Sequence, residues 1–343
     1  MLEKLVRKNV LELHPYSSAR DEFMSVAEIY LDANENPNNW EYNRYPDPYQ
    51  QKLKAAIGEW RKIETKNIFI GNGSDEIIDL IIRAFCEPGI DSIVTLNPSY
   101  GMYKVSADIN NINFRYFPLD ENFNFSPIQL LDFIKPNDKI IFICSPNNPS
   151  GNIFDKVNIV TICKKFNGLV IVDEAYIDFA EEAGMLSEIG ELDNLIVVQT
   201  LSKAMGAAGI RLGMAFMNDY IVKILNKIKP PYNVNTATQK IALELVKNKA
   251  SKLDQVQSIL IERQKLDSEL KKLTFVIKVF PSQANFILAR VTKADHLYNY
   301  LLGMGIVVRN RNKQFRCEEC IRFTIGTEIE IERLINALHH YQD

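Results

Sequence analysis

The sequence predicts an α/β protein, with a large, doubly wound, mostly parallel sheet followed by a smaller α+β C-terminal domain. Three observations predict it. Apolar runs without polar alternation, such as Ile140-Ile141-Phe142-Ile143-Cys144 and Leu169-Val170-Ile171-Val172, have the pattern of strands buried on both faces, as parallel strands are. Such runs alternate with amphipathic, helix-length segments, which places helices on both faces of the sheet through right-handed crossovers. After Lys229-Pro230-Pro231 the alternation gives way to long charged helical segments and then to a second set of strands.

Residues 1–30 mix leucines with Glu3, Lys4, Arg7, Lys8 and Glu12 and read as an N-terminal arm expected to pack with the small domain. No apolar stretch there is long enough for a signal peptide or a membrane span. The large domain is expected over 31–235 and the small one over 236–343. Pro37, Pro46 and Pro48, with the asparagines around them, forbid helix and make this segment an irregular loop. Asn67-Ile68-Phe69-Ile70 is a strand running into Gly71-Asn72-Gly73-Ser74-Asp75-Glu76, with Ser74 as the N-cap of a helix through Phe85. A helix start after glycines offers backbone N–H groups to an anion. Asp75 and Glu76 would repel that anion unless their side chains turn aside.

Pro88-Gly89 ends the helix, and Ser92-Ile93-Val94-Thr95-Leu96 is a strand leading to Tyr100. Ser126-Pro127-Ile128-Gln129 is a capping box with proline at the first helical position. A helix over 155–166 and strands over 195–199 and 212–216 complete the large domain. In the small domain one or two long helices span 236–273, followed by strands at 275–280, 285–291, 306–310 and 321–326 and helices at 294–303 and 328–341.

Composition narrows the function. With 343 residues, 46% apolar and 24% charged, the chain has the balance of an ordinary soluble protein with room for two domains. A net charge of −3 gives no case for a nucleic-acid surface. Of five cysteines, Cys86, Cys144 and Cys163 fall in apolar segments, which points to reduced thiols and a cytoplasmic location. Cys317-x-x-Cys320 has a metal-like spacing, but no second cysteine pair or nearby histidine completes a four-ligand set, so no metal is expected. Four scattered histidines argue against histidine-based acid–base chemistry.

The chemistry lies at the strand ends. Val197-Val198-Gln199-Thr200-Leu201-Ser202-Lys203 carries a buried strand straight into a lysine flanked by small residues. A lysine so placed is costly unless it pairs or reacts. Asp173 ends one neighbouring strand and Asn148 follows another, and open α/β sheets bind ligands outside the carboxyl ends of their strands.

Three motifs, Asn148-Pro149-Ser150-Gly151, Asp173-Glu174-Ala175-Tyr176 and Ser202-Lys203 with Arg211 eight positions on, resemble those of the fold-type-I aminotransferases, which use pyridoxal 5′-phosphate (PLP). Pro15-Tyr16 through Arg20, Asp32-Ala33-Asn34-Glu35-Asn36-Pro37 and Asn43-Arg44-Tyr45-Pro46 are similar to the branch of that family acting on histidinol phosphate. Ser150 stands where the family usually has threonine, and the segment around Trp40 is longer than the two loop motifs need.

The resemblance implies that Lys203 attaches to the cofactor and then moves the substrate proton, while Asp173 pairs with the ring nitrogen. Asn148 and Tyr176 would bond the ring's 3′ oxygen, and Tyr100 would stack on the ring. Ser202, Arg211 and the amides of Ser74 and Asp75 would hold the phosphate, joined by Tyr45 from the other subunit of a homodimer. Substrates would be L-histidinol phosphate and glutamate or 2-oxoglutarate, held by Arg322, Arg309, Asn148 and Tyr16. Arginine suits both substrates because its planar fork binds carboxylate or phosphate bidentately. The alternative for Arg309 and Arg322 is pairing with Glu318 or Glu319. Other activities of the branch, aromatic amino-acid transamination or threonine-phosphate decarboxylation, and a PLP-binding regulatory domain are the competing functions.

Overall fold

Strands β1 (Ile68–Asn72), β2 (Ser92–Asn97), β3 (Asn113–Pro118), β4 (Asp138–Cys144), β5 (Leu169–Asp173), β6 (Leu195–Thr200) and β7 (Leu212–Met217) form one sheet in the order β1-β7-β6-β5-β4-β2-β3. The computed structural model describes residues 2–15, 29–38 and 40–342. Strand β7 runs antiparallel to β1 and β6, and every other pairing is parallel. The carboxyl ends of β2, β4, β5 and β6 therefore open onto one edge. Strand β3 did not stand out in the sequence because it lies at the sheet edge. There its residues are partly exposed, so the continuous apolar run that marks an inner strand is missing.

Alternation along the strands sends side chains into two layers. Ile141, Val170 and Val197 pack with α2 (Gln51–Arg61) and α6 (Lys156–Lys165) through Leu53, Ile57, Ile159 and Ile162. Ile140, Ile171 and Ile196 pack on the opposite face with α3 (Gly73–Phe85) and α7 (Asp219–Ile228) through Ile77, Ile81, Ile221 and Leu225. Each side chain buried this fully contributes about 1.5–3 kcal/mol of hydrophobic stabilisation. The remaining helices of this unit are α1 (Lys8–Glu12), α4 (Met102–Ile109) and α5 (Pro127–Phe133), the last capped by Ser126 as expected.

Two expectations about domain organisation are corrected. The described part of the arm packs on the large unit, not the small one: Leu2, Val6 and Val10 join the α3–α7 layer. There the Arg7 amide donates to Ala84, and Lys227 donates to the carbonyls of Val10 and Leu11. The boundary expected at 235/236 also shifts: of the helices α8 (Thr236–Lys247) and α9 (Ala250–Leu270), α8 lies against α2 with Ala242 and Val246 in the large-unit core.

The second sheet contains β8 (Val276–Val279), β9 (Phe286–Val291), β10 (Arg309–Asn310) and β11 (Cys320–Thr324), all antiparallel in the order β10-β11-β9-β8. Only the last two residues of the strand expected at 306–310 join the ladder. One face buries Ile287, Ala289, Ile321 and Phe323 beneath α9, α10 (Ala294–Gly303) and α11 (Glu328–His340). The other face turns Phe280, Leu288, Cys317 and Cys320 into the large-unit core. This parity aims Arg322, two residues beyond Cys320, at the strand ends of the large sheet. Among the described residues no helix is long and apolar enough to cross a membrane.

Candidate active site

Asp173 ends β5 almost wholly buried, its proton affinity raised by that burial. Two donors oppose the shift: the Tyr103 hydroxyl, 2.7 Å from Oδ2, and the Ala175 amide, 3.1 Å from Oδ1. Tyr103 is a residue of this site that the sequence did not point to. It stacks on Phe142, with ring centroids 4.5 Å apart, and meets Tyr100 edge to face at 5.4 Å. Its only signal was an aromatic in the first turn of the helix that follows β2, close to Tyr100.

Lys203 sits in the turn after β6, with its ammonium 5.6 Å from the centre of the Tyr176 ring. Nearby protein lowers its proton affinity, chiefly by desolvation and then through the positive charge of Arg322. Asp173 and Asp75 oppose that shift, while Arg211 adds to it. The Tyr176 hydroxyl accepts from Asn148 Nδ2 at 3.4 Å. Asn148 Oδ1 in turn accepts from Arg322 Nη1 at 2.6 Å and Arg311 Nη2 at 3.3 Å. The loop carrying Asn148 is shaped by buried Asn147, which donates to Pro98 and to Ser150 Oγ. It is also tied to the small unit where the Gln283 amide donates to Gly151. Gly151 has φ 83°, and a Cβ there would strike Ser282, so the close approach of loop and small unit requires glycine.

At the start of α3 the N-cap is Asn72, not Ser74, which lies inside the first turn. Gly73 makes this turn with φ 78°, and a Cβ on it would lie 2.7 Å from Arg211 Nη2, so the guanidinium rests directly over the helix start. Of the acidic side chains of that turn, Glu76 is engaged to the side, whereas Asp75 pairs with the cradle's own arginine. Glu76 Oε2 accepts from the Asn72 amide and from Asn233 Nδ2, while Asp75 accepts from the Tyr100 hydroxyl and lies 3.5 Å from Arg211. The first-turn amides of Ser74 and Asp75, which have no carbonyl one turn back, lie in this cradle with Arg211. Ser202 Oγ is 2.9 Å from Thr200 Oγ1.

Arg309 stands opposite Arg322 in the β10–β11 register and is exposed. Neither arginine takes the acidic partners considered for it: Glu319 accepts from the Ala294 amide, and Glu318 is 3.9 Å from Arg290. Arg311 was also missed, although its place two residues along the strand from Arg309 put it on the same face. Tyr45 is held away from these groups, its ring stacked on Tyr232 at 4.4 Å and its amide donating to Glu35. Tyr16 lies outside the described residues.

These residues fit PLP. A buried carboxylate with neutral donors and no ion pair suits a protonated ring nitrogen, and the α3 cradle with Arg211 suits a phosphate. Lys203 is an amine of reduced proton affinity between the two.

The family model described as aminotransferase class I and II matches residues 17–338. The chain belongs to this family of PLP-dependent aminotransferases. It is 54% identical to the histidinol-phosphate aminotransferase of Parabacteroides distasonis over 98% of both chains, and 50% identical to that of Bacteroides fragilis over 99% of both. Among solved structures, the histidinol-phosphate aminotransferase of Clostridium acetobutylicum superposes with a TM-score of 0.79 at 27% identity, covering 86% of this chain and 89% of that one. The fold is shared with the enzyme of Sinorhizobium meliloti solved in complex with PLP, with a TM-score of 0.79 at 21% identity over 86% of this chain and 82% of that one.

Proposed function

We propose that the protein uses PLP to exchange an amino group between L-histidinol phosphate and 2-oxoglutarate. The observation that carries this reading is the convergence on Asn148. Its amide joins the Lys203–Tyr176–Asp173 end of the site, where a proton must move, to Arg322, where an anionic substrate must be held.

When bound, PLP supplies an electron sink for the charge left at the substrate Cα. The chain supplies the rest. Asp173, kept charged by Tyr103 and the Ala175 amide, holds a proton at the ring nitrogen. Lys203 Nζ, its proton affinity lowered by burial and Arg322, removes the proton from Cα and returns one on the other side of the transfer. Asn148 and Tyr176 would orient the ring at its 3′ oxygen, and Tyr100 would cover a ring face. The first-turn amides of α3, Ser202 and Arg211 hold the phosphate. Arg322 binds the α-carboxylate of glutamate, and Arg322 with Arg309 and Tyr16 binds the phosphate of histidinol phosphate. Tyr45 belongs to the neighbouring site of a homodimer, which accounts for its distance from Lys203 in one chain.

The test is single-turnover spectroscopy of the holoenzyme with histidinol phosphate, glutamate and phenylalanine in parallel, together with borohydride reduction and peptide mapping. Histidinol phosphate and glutamate should each convert the chromophore to the amine form, and reduction should label Lys203. A preference for phenylalanine would move the enzyme to the aromatic branch, loss of carbon dioxide from phosphothreonine would make it a decarboxylase, and an unlabelled Lys203 would overturn the cofactor assignment.

A further inference from the structure

Directly opposed residues on paired strands share a face, as do residues two apart along one strand. Arg309 is opposed to Arg322, and the Arg311 amide continues the ladder by donating to Cys320. All three arginines therefore stand on the face that meets the large unit. Among the described residues none of the three forms an ion pair. The guanidiniums of Arg311 and Arg322 share one neutral acceptor, Asn148 Oδ1, and the Nε of each is buried without a partner. Burial and the two neighbouring arginines push Arg311 down to about 10. Like charges gathered without a counter-ion cost stability, and an anion relieves them.

We infer that Arg311 is a specificity-determining residue, the third positive charge by which the site prefers a phosphate dianion to a single carboxylate. The inference rests on the function proposed above. One guanidinium fork satisfies both oxygens of a carboxylate, whereas a phosphate presents three oxygens and up to two charges and can engage Arg309, Arg311 and Arg322 together.

The experiment uses holoenzyme carrying Arg311→Gln or Arg311→Lys. It measures kcat and KM with histidinol phosphate and with glutamate, and the calorimetric affinity for inorganic phosphate and for acetate. Arg311→Gln should weaken phosphate binding and raise the histidinol phosphate KM by about ten- to a hundredfold. Acetate affinity and the glutamate KM should change by less than about threefold, as for a contact absent with that ligand. Arg311→Lys, which keeps the charge without the fork, should fall between wild type and Arg311→Gln, and it carries the test if the glutamine variant does not fold. Equal losses with both substrates would mean that Arg311 only positions Asn148, and unchanged phosphate affinity would remove its role. A wild type that binds phosphate over acetate yet does not turn over histidinol phosphate would refute the proposed substrate while leaving the role of Arg311 to the variants.

Discussion

Tyr103→Phe removes one oxygen and tests how Asp173 is kept charged. The phenyl ring still fills the space against Phe142, so the stack of 4.5 Å and 9° survives. What is lost is a 2.7 Å hydrogen bond to a carboxylate in a site shielded from water, leaving Asp173 with the Ala175 amide at 3.1 Å. Such a bond to a charged group is worth about 1.5–3 kcal/mol, so its loss raises the proton affinity of Asp173 further. A stronger base draws the proton from the cofactor's ring nitrogen and weakens the electron sink. Both half-reactions should slow by about ten- to a hundredfold. The glutamate KM should stay near its wild-type value, since Arg322 and Asn148 are untouched.

Stability gives a second readout. Burial already holds Asp173 above the ordinary carboxylate range, so its charged form costs stability above the unfolded-state pKa. The substitution deepens that cost. The apoprotein variant should therefore melt below wild type at neutral pH, with the gap closing as pH falls toward about 4, where the unfolded carboxyl also protonates. Stopped-flow half-reactions and melting curves across pH decide the matter. Half-reaction rates within about twofold of wild type, with no pH-dependent change in Tm, would show that Tyr103 does not tune Asp173.

Two further outcomes are expected. Glu174 is buried beside Gln199 and the Met185 amide, and burial pushes its carboxyl up to about 7. Its charged form costs stability fully above about pH 7, and the cost fades as pH falls toward the ordinary carboxylate range. Glu174→Gln, which can donate to Gln199 Oε1 once the Gln199 amide turns over, should stabilise the protein by up to about 3 kcal/mol at pH 8 and by little near pH 5, by denaturant melts; a loss at pH 8 would reverse this account. Mixing inactive Tyr45→Ala and Lys203→Ala proteins should restore partial activity, because one site of each heterodimer then has both residues intact. No recovery after verified subunit exchange would place Tyr45 outside the partner's site.

Much of the site was legible before folding because its residues follow directly on strands. Asp173 ends β5, Lys203 follows β6 by three residues and Asn148 follows β4 by four, so locating the inner strands located the chemistry. Short β-branched apolar runs of this length, bounded by turn residues, mark strands buried on both faces. The edge strand β3 escaped because partial exposure leaves no such run, and β10 was overdrawn because the apolar Ile306-Val307-Val308 precedes the ladder without joining it. The helix expected to cap at Ser74 begins instead at Gly73, where a residue with positive φ lets the chain turn two positions earlier and brings Arg211 over the helix start.

By itself the sequence determined the α/β class, the mostly parallel sheet and the strand-end lysine, aspartate and asparagine, since these follow from local periodicity and from where apolar runs stop. Only the tertiary structure decided which groups meet across the chain. Tyr103 reaches Asp173 from 70 residues away, and Arg311 and Arg322 reach Asn148 from 163 and 174 away. The arm lies on the large unit because three apolar residues found a groove there. The physical reason is range: hydrophobic periodicity acts between near neighbours, whereas a buried charge is satisfied by whichever donor the packing of distant elements brings within about 3 Å.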